Sequence, residues 1–130
     1  RCGGVRVELF PTRAELAAMI AAIVQRGLSW KATAGLHHAV RHRDPRTGFT
    51  HHGFLNLLVA VGQAVRGGTP DELAATLAVD DGPTLVTAVR GMDRGTVADI
   101  RSSLTAYGSC STSQPVADLD ALGLLDDGTI

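Results

Sequence analysis

The sequence has no marked excess of charge, no apolar run of membrane length and no cysteine pattern, and each shortage removes a class of function. Lys plus Arg number 12 against 13 for Asp plus Glu, a net charge of -1, so no global field draws nucleic acid or an anionic membrane. Only residues 41–46 are locally basic, with Arg41, His42, Arg43 and Arg46 around Asp44. The longest unbroken apolar stretch, residues 16–24, falls far short of the roughly 20 residues a membrane span needs. Cys2 and Cys110 stand too far apart for a metal or redox spacing and read as free thiols, Cys110 as a small buried one. No charged-then-apolar leader opens the chain. Together these features predict a soluble, cytoplasmic protein with neither nucleic-acid nor membrane partners.

What is present suits one globular unit. With 130 residues, 45% of them apolar, the chain can bury a core, and residues 1–130 read as a single α/β domain. The start, Arg1-Cys2-Gly3-Gly4, resembles a strand end turning into a loop, which predicts the C-terminal fragment of a longer protein. Val5, Val7 and Leu9 alternate with Arg6 and Glu8, a pattern for a short strand or equally for a loop. Thr12-Arg13-Ala14-Glu15 is a capping box, and Leu16, Met19, Ile20, Ile23 and Val24 then repeat at helical spacing up to Gly27. Residues 30–34 form a strand. Strand, helix and strand in this order predict a right-handed crossover with parallel strands, a partial (β/α)-barrel-like unit.

A helix-rich C-terminal region follows. An apolar helix begins near Gly53 and ends at Gly67-Gly68, and Thr69-Pro70-Asp71-Glu72 marks a second start with Pro in the first turn. Residues 83–90, 96–104 and 115–122 read as three more helices, with a loop or strand end at residues 107–111. So few strands leave open sheet edges, which predicts a homo-oligomer or an N-terminal segment that completes the sheet.

All five histidines, His37, His38, His42, His51 and His52, lie within residues 37–52. Imidazole moves protons near neutral pH, ligates metals and binds anions, so the junction between strand and apolar helix is the candidate site. In an extended strand Lys31 and Thr33 share one face, while Trp30, Ala32 and Ala34 share the other, which suits packing under helices. This predicts a desolvated Lys31 whose amine is free for Schiff-base chemistry, or a structural ion pair with a carboxylate such as Glu8. His37 and His38 follow Gly35 at the strand's C-terminal end, where parallel α/β proteins place their sites. His38 and His42 are four apart, like two metal ligands on a helical turn, although no Glu lies between them and Pro45 forbids a long helix. His42 and His51 read as loop residues. His52, Asn56 and Gln63 make a polar stripe on the apolar helix, either a buried network or a set aimed at a ligand beside His37 and His38. Arg1 could anchor a carboxylate or phosphate, and Ser109 and Ser111 could form a backbone nest for an anion.

These residues carry a resemblance. Arg1, Gly3, Gly4, residues 31–38, residues 52–56 and residues 108–111 resemble an uncharacterised bacterial protein family with an Arg-x-Gly-Gly segment. Its members also carry a Lys-Ala-Thr-Ala-Gly-Leu-His-His stretch, a His-Gly-Phe-Leu-Asn helix start and a Gly-Ser-Cys-Ser motif. Trp30, Ala39 and Tyr107 depart from its Phe, Pro and Phe. The family looks like (β/α)-barrel proteins, longer at the N-terminus. Separately, Lys31-Ala32-Thr33-Ala34-Gly35 is similar to the Lys-Thr-Ser-Thr-Gly strand of deoxyribose-phosphate aldolases, which implies a Schiff-base role for Lys31. Ala32 and Ala34 lack that family's hydroxyls.

Three functions stay open on this reading. The first is a lyase-like or aldolase-like barrel enzyme for a small carbonyl or phosphorylated metabolite. In it Lys31, His37 and His38 are catalytic, and Arg1, Thr33, His52 and Asn56 bind substrate. The second is a zinc-dependent hydrolase using His37, His38 and His52, with zinc the only cofactor expected. The third is a noncatalytic dimerising or ligand-binding domain, in which the polar stripe is structural.

Overall fold

Thr12 opens the first helix through the reciprocal bonds its spacing predicts. Its hydroxyl accepts from the Glu15 N–H at 3.1 Å, and the Glu15 carboxylate accepts from the Thr12 N–H at 2.7 Å. Such a cap contributes about 1 kcal/mol to a helix start. Helix α1 spans Arg13–Gln25 and stops where Gly27 takes a left-handed φ of 64°. Thr69 and Glu72 repeat the device at a later helix, Pro70–Leu77.

A computed structural model describes residues 1–125, and among these the order is a 3-10 turn at Val7–Leu9, then α1, β1 (Trp30–Ala32), β2 (His42–Arg43) and β3 (Thr50–His51). There follow α2 (Phe54–Val65), α3 (Pro70–Leu77), α4 (Gly82–Arg90), α5 (Arg94–Ser103), β4 (Leu104–Tyr107) and α6 (Ser113–Ala121). The chain is therefore mixed α/β with a helix-rich region. Among the described residues no helix is long and apolar enough to cross a membrane.

The strand pairing corrects one expectation. Residues 5–9 form no strand, so Trp30–Ala32 has no parallel partner on its N-terminal side of the sequence. Its partner is β4, parallel, with Trp30 opposite Leu104, Lys31 opposite Ala106 and Ala32 opposite Tyr107. The alternation of Val5, Val7 and Leu9 lacked a second apolar layer to face, and Val5 is 90% exposed. A second sheet, β2 with β3, is a short antiparallel hairpin that pairs His42 with His51.

Helix α2 is the centre of the packing. Leu55, Leu57, Val59, Ala60 and Val61 are buried, and α2 meets α1, α3, α4, α5 and β4. Helices cover one face of the β1–β4 sheet: Trp30 Nε1 donates to Ser103 Oγ at 3.2 Å, Ala32 is buried, and Tyr107 stacks on Phe54 at 5.1 Å. The other face has no covering layer among the described residues, and Lys31, Thr105 and Ala106 on it are exposed.

The predicted polar stripe on α2 proves to be a hydrogen-bond network. Asn56, fully buried, accepts from the Arg41 N–H through Oδ1 at 2.9 Å and donates through Nδ2 to the carbonyls of Thr76 at 3.0 Å and Val79 at 2.7 Å. Gln63 Oε1 accepts from the Thr76 hydroxyl at 2.7 Å. Asn56 thus ties the histidine-bearing loop and the end of α3 to the central helix, and its role is internal. Asn56→Ala leaves one N–H and two carbonyls without their partner, and unfolding in urea should report a loss of about 2–4 kcal/mol. A loss under about 1 kcal/mol would mean that water replaces the amide.

Candidate functional site

The loop that carries the first histidines leaves β1 through two left-handed residues, Ala34 with φ 64° and Gly35 with φ 80°. A positive φ is costly for a residue with a Cβ, so this exit is held by its surroundings. The Cys2 N–H donates to the Thr33 carbonyl at 2.7 Å, and a Cβ on Gly35 would come within 3.0 Å of Gly3 Cα. The N-terminal Cys-Gly-Gly segment therefore wedges the bend in place.

The loop then settles on the start of α2. That helix has no side-chain cap. The Phe54 N–H instead donates to the His38 carbonyl at 3.0 Å and the Leu55 N–H to the Ala39 carbonyl at 2.9 Å. These bonds use helix donors that would otherwise be orphaned. A Cβ on Gly53 would lie 2.4 Å from the Ala39 carbonyl oxygen and 2.5 Å from Asn56 Oδ1, so only glycine admits this approach.

Four imidazoles meet across the loop and the hairpin. His38 and His42 ring centres are 4.5 Å apart edge to face, His42 stacks on His51 at 5.1 Å, and His37 lies 6.5 Å from His51. Phe10 closes the far side of His51 at 4.8 Å. His42 and His51 are thus not loop residues, because hairpin pairing sets their rings face to face. The fifth, His52, is 5% exposed, and its Nε2 faces the Pro11 carbonyl at 2.7 Å, which fixes the proton there. It anchors α2 to the segment before α1.

Each ring has a defined second partner or a conspicuous lack of one. His38 Nδ1 lies 3.0 Å from Asp118 Oδ2. The same carboxylate accepts from the Ala39 N–H at 2.8 Å and from Gln114 Nε2 at 2.8 Å. His42 Nδ1 faces the Val40 carbonyl at 3.1 Å, so it carries the proton and leaves Nε2 basic. His37 Nδ1 lies 3.2 Å from Ser109 Oγ, which also accepts from the Ser111 N–H. Both ring nitrogens of His51, Nδ1 of His52 and Nε of Arg41 are buried without a partner among the described residues.

The electrostatics follow from this crowding. Burial lowers the His37 pKa, and the neighbouring His51 and His38 lower it further. Burial also lowers His42, with His38 and His51 adding to it against the Val40 carbonyl and Asp44. His52 is lowered by burial above all, then by Arg41 and His51, although the Pro11 carbonyl acts the other way. For Asp118 burial alone would raise the pKa, but the Ala39 N–H, Gln114 and His38 outweigh it and hold the carboxyl below its ordinary range.

A cavity of about 440 Å³ opens beside this cluster, bordered by His38, Arg41, His42, Asp80, Asp118 and Leu122 among others. His38 presents a half-exposed ring to it, and Asp118 orients that ring from behind. The carboxylate fixes the proton on Nδ1 and leaves Nε2 able to take or give one.

Several predicted site residues fall elsewhere. Lys31 is exposed, on the uncovered face of the β1–β4 sheet, and does not border the cavity beside the histidines. The ion pair expected with Glu8 is absent too among the described residues. Thr33 uses its carbonyl to hold Cys2, and Arg1 is exposed next to that contact. His37, His38 and His52 do not converge on one point, since His52 is committed to Pro11. Among the described residues no three His, Cys, Asp or Glu side chains are arranged to hold a metal ion. His38 and His42 do not share a helical turn, since His42 lies in β2. Cys110 is exposed rather than buried, because the loop after β4 runs over the surface.

Asp118 and Asp80 were not singled out in the sequence. The signal for Asp118 was available: Pro115, Asp118, Leu119 and Leu122 share one helical face, and an acid on an apolar face needs a partner. Asp80 carried no comparable signal. No family model matches the chain, and neither a curated protein nor a solved structure matches it.

The depressed imidazoles set a pH dependence. His37, His42 and His52 are neutral in the fold at pH values where the unfolded chain, titrating near 6.5, already binds protons. Their contribution is complete above about pH 6.5 and is lost as pH falls toward the lower folded-state values. Urea midpoints measured from pH 8 to pH 5 should be level at first and drop below about 6.5, and His42→Gln should flatten part of the drop. A midpoint that holds level to pH 5 would contradict the neutral cluster.

Proposed function

We propose that the chain catalyses proton transfer on a small carbonyl or phosphorylated metabolite, a lyase-like reaction centred on His38. The observation that carries this reading is the Asp118–His38 pair at the edge of the cavity, with Nδ1 and Oδ2 3.0 Å apart. His38 acts as the general acid or base through Nε2. Asp118 holds the tautomer and stabilises the imidazolium that forms when His38 takes a proton. His42 lies edge to face against the same ring, 4.5 Å away centre to centre, and limits how far it can turn.

The amine route through Lys31 loses its structural support, since Lys31 is exposed on the uncovered face of the β1–β4 sheet and does not border the cavity. The likeness of residues 31–35 to the aldolase strand therefore adds nothing to the reading, whereas His38 of the bacterial-family motif borders the cavity. His37 beside Ser109 belongs to the same cluster and sits on its other side.

The test is hydrogen exchange in D2O across a panel of small carbonyl and phosphorylated compounds, followed by proton NMR. At least one compound should lose a proton next to its carbonyl. His38→Gln should slow that loss by about 10²–10⁴-fold, and Asp118→Asn by a smaller factor. Exchange that ignores both substitutions, or no exchange across the panel, would remove the proposal. Lys31 is the single lysine of the chain, so a borohydride-stable adduct there would restore the amine route instead.

A further inference from the structure

The charged groups around the cavity are unevenly satisfied. Asp118 is engaged by three donors, and Asp81 caps α4 through the Thr84 N–H. Arg41 and Asp80 are different. The Arg41 Nε is buried without a partner, and neither side chain forms a salt bridge among the described residues. Arg41 and Asp80 thus border the same space without a salt-bridge partner among the described residues, and Val40, Ala121 and Leu122 line it as well. A buried guanidinium N–H without a partner favours an incoming anion, and a free carboxylate on the same cavity favours a cation.

We propose that this cavity recognises a small aliphatic zwitterion, an α-amino acid or a close derivative. Arg41 takes its carboxylate, Asp80 its ammonium group, and Val40 with Leu122 its side chain. The inference rests on the proton-transfer reading for the chemistry and narrows its substrate class, since the carbon between the two charged groups then lies in the cavity that His38 borders. A phosphate fits less well: its second negative charge would meet Asp80 and Asp118 with only Arg41 to offset them. A volume of about 440 Å³ is ample for a ligand of this size.

Calorimetry on the full chain with leucine, 4-methylpentanoate and 3-methylbutylamine tests the proposal without turnover. Leucine should bind, and each compound carrying one charge should bind about tenfold or more weakly. Asp80→Asn, at an exposed position, should abolish the preference for leucine over 4-methylpentanoate. Arg41→Gln should abolish the preference for leucine over 3-methylbutylamine; if that variant fails to fold, the Asp80→Asn comparison decides alone. No leucine binding, equal binding of a singly charged analogue, or tighter binding of glycerol 3-phosphate would overturn it. Leucine binding together with exchange that ignores His38→Gln would sink the proton-transfer reading alone. Exchange on a compound without an amine, unchanged by Asp80→Asn, would sink the zwitterion alone.

Discussion

The amide of Asn56 positions two of the segments that border the cavity. Its three hydrogen bonds reach the Arg41 N–H and the carbonyls of Thr76 and Val79. One side chain therefore fixes the loop that presents Arg41 and His42 and the turn that presents Asp80. A carboxylate would lack the two donors, and an apolar residue would lack all three bonds, so the chemistry of an amide is required at this point. The same helix holds the loop by its first free N–H groups, which donate to the His38 and Ala39 carbonyls. Backbone and side chain thus act together on one short stretch.

The histidine cluster is held together ring against ring. Stacking His42 on His51 and setting His38 against His42 buries aromatic surface, and burial together with the neighbouring rings lowers the proton affinity of His37 and His42. Asp118 singles out one member. It offers the only carboxylate bonded to any of the rings among the described residues. Five similar side chains thereby acquire different duties: His52 anchors a helix, His42 and His51 build the hairpin, His37 meets Ser109, and His38 faces the cavity with an oriented proton.

Local features of the fold were legible in the sequence where a residue's neighbours in the chain decide its state. Both capping boxes, the glycine stops and the all-round apolar α2 are of this kind. The partner of the strand at Trp30 was not, because β1 and β4 are joined by long-range pairing and residues 104–107 carry only a weak period-2 pattern. The exposure of Lys31 depended on whether a second layer covers its face, which no local pattern encodes. At the site, the position of His37 and His38 just beyond β1 followed from the strand pattern. The joining of His42 to His51 required knowing the register of a two-residue hairpin, and Asp118 required knowing which helix packs beside the loop.

The left-handed bend at Ala34 and Gly35 bears on the order in which the molecule assembles. It is stabilised by residues 2 and 3, while the rings beyond it need partners at positions 109 and 118. Contacts of such wide sequence separation close late, after the helices that form locally. A nascent or partly folded chain would therefore hold its helices before its histidine loop docks against residues 2, 3, 109 and 118. Local opening of those contacts would release the loop while most of the helical structure persisted.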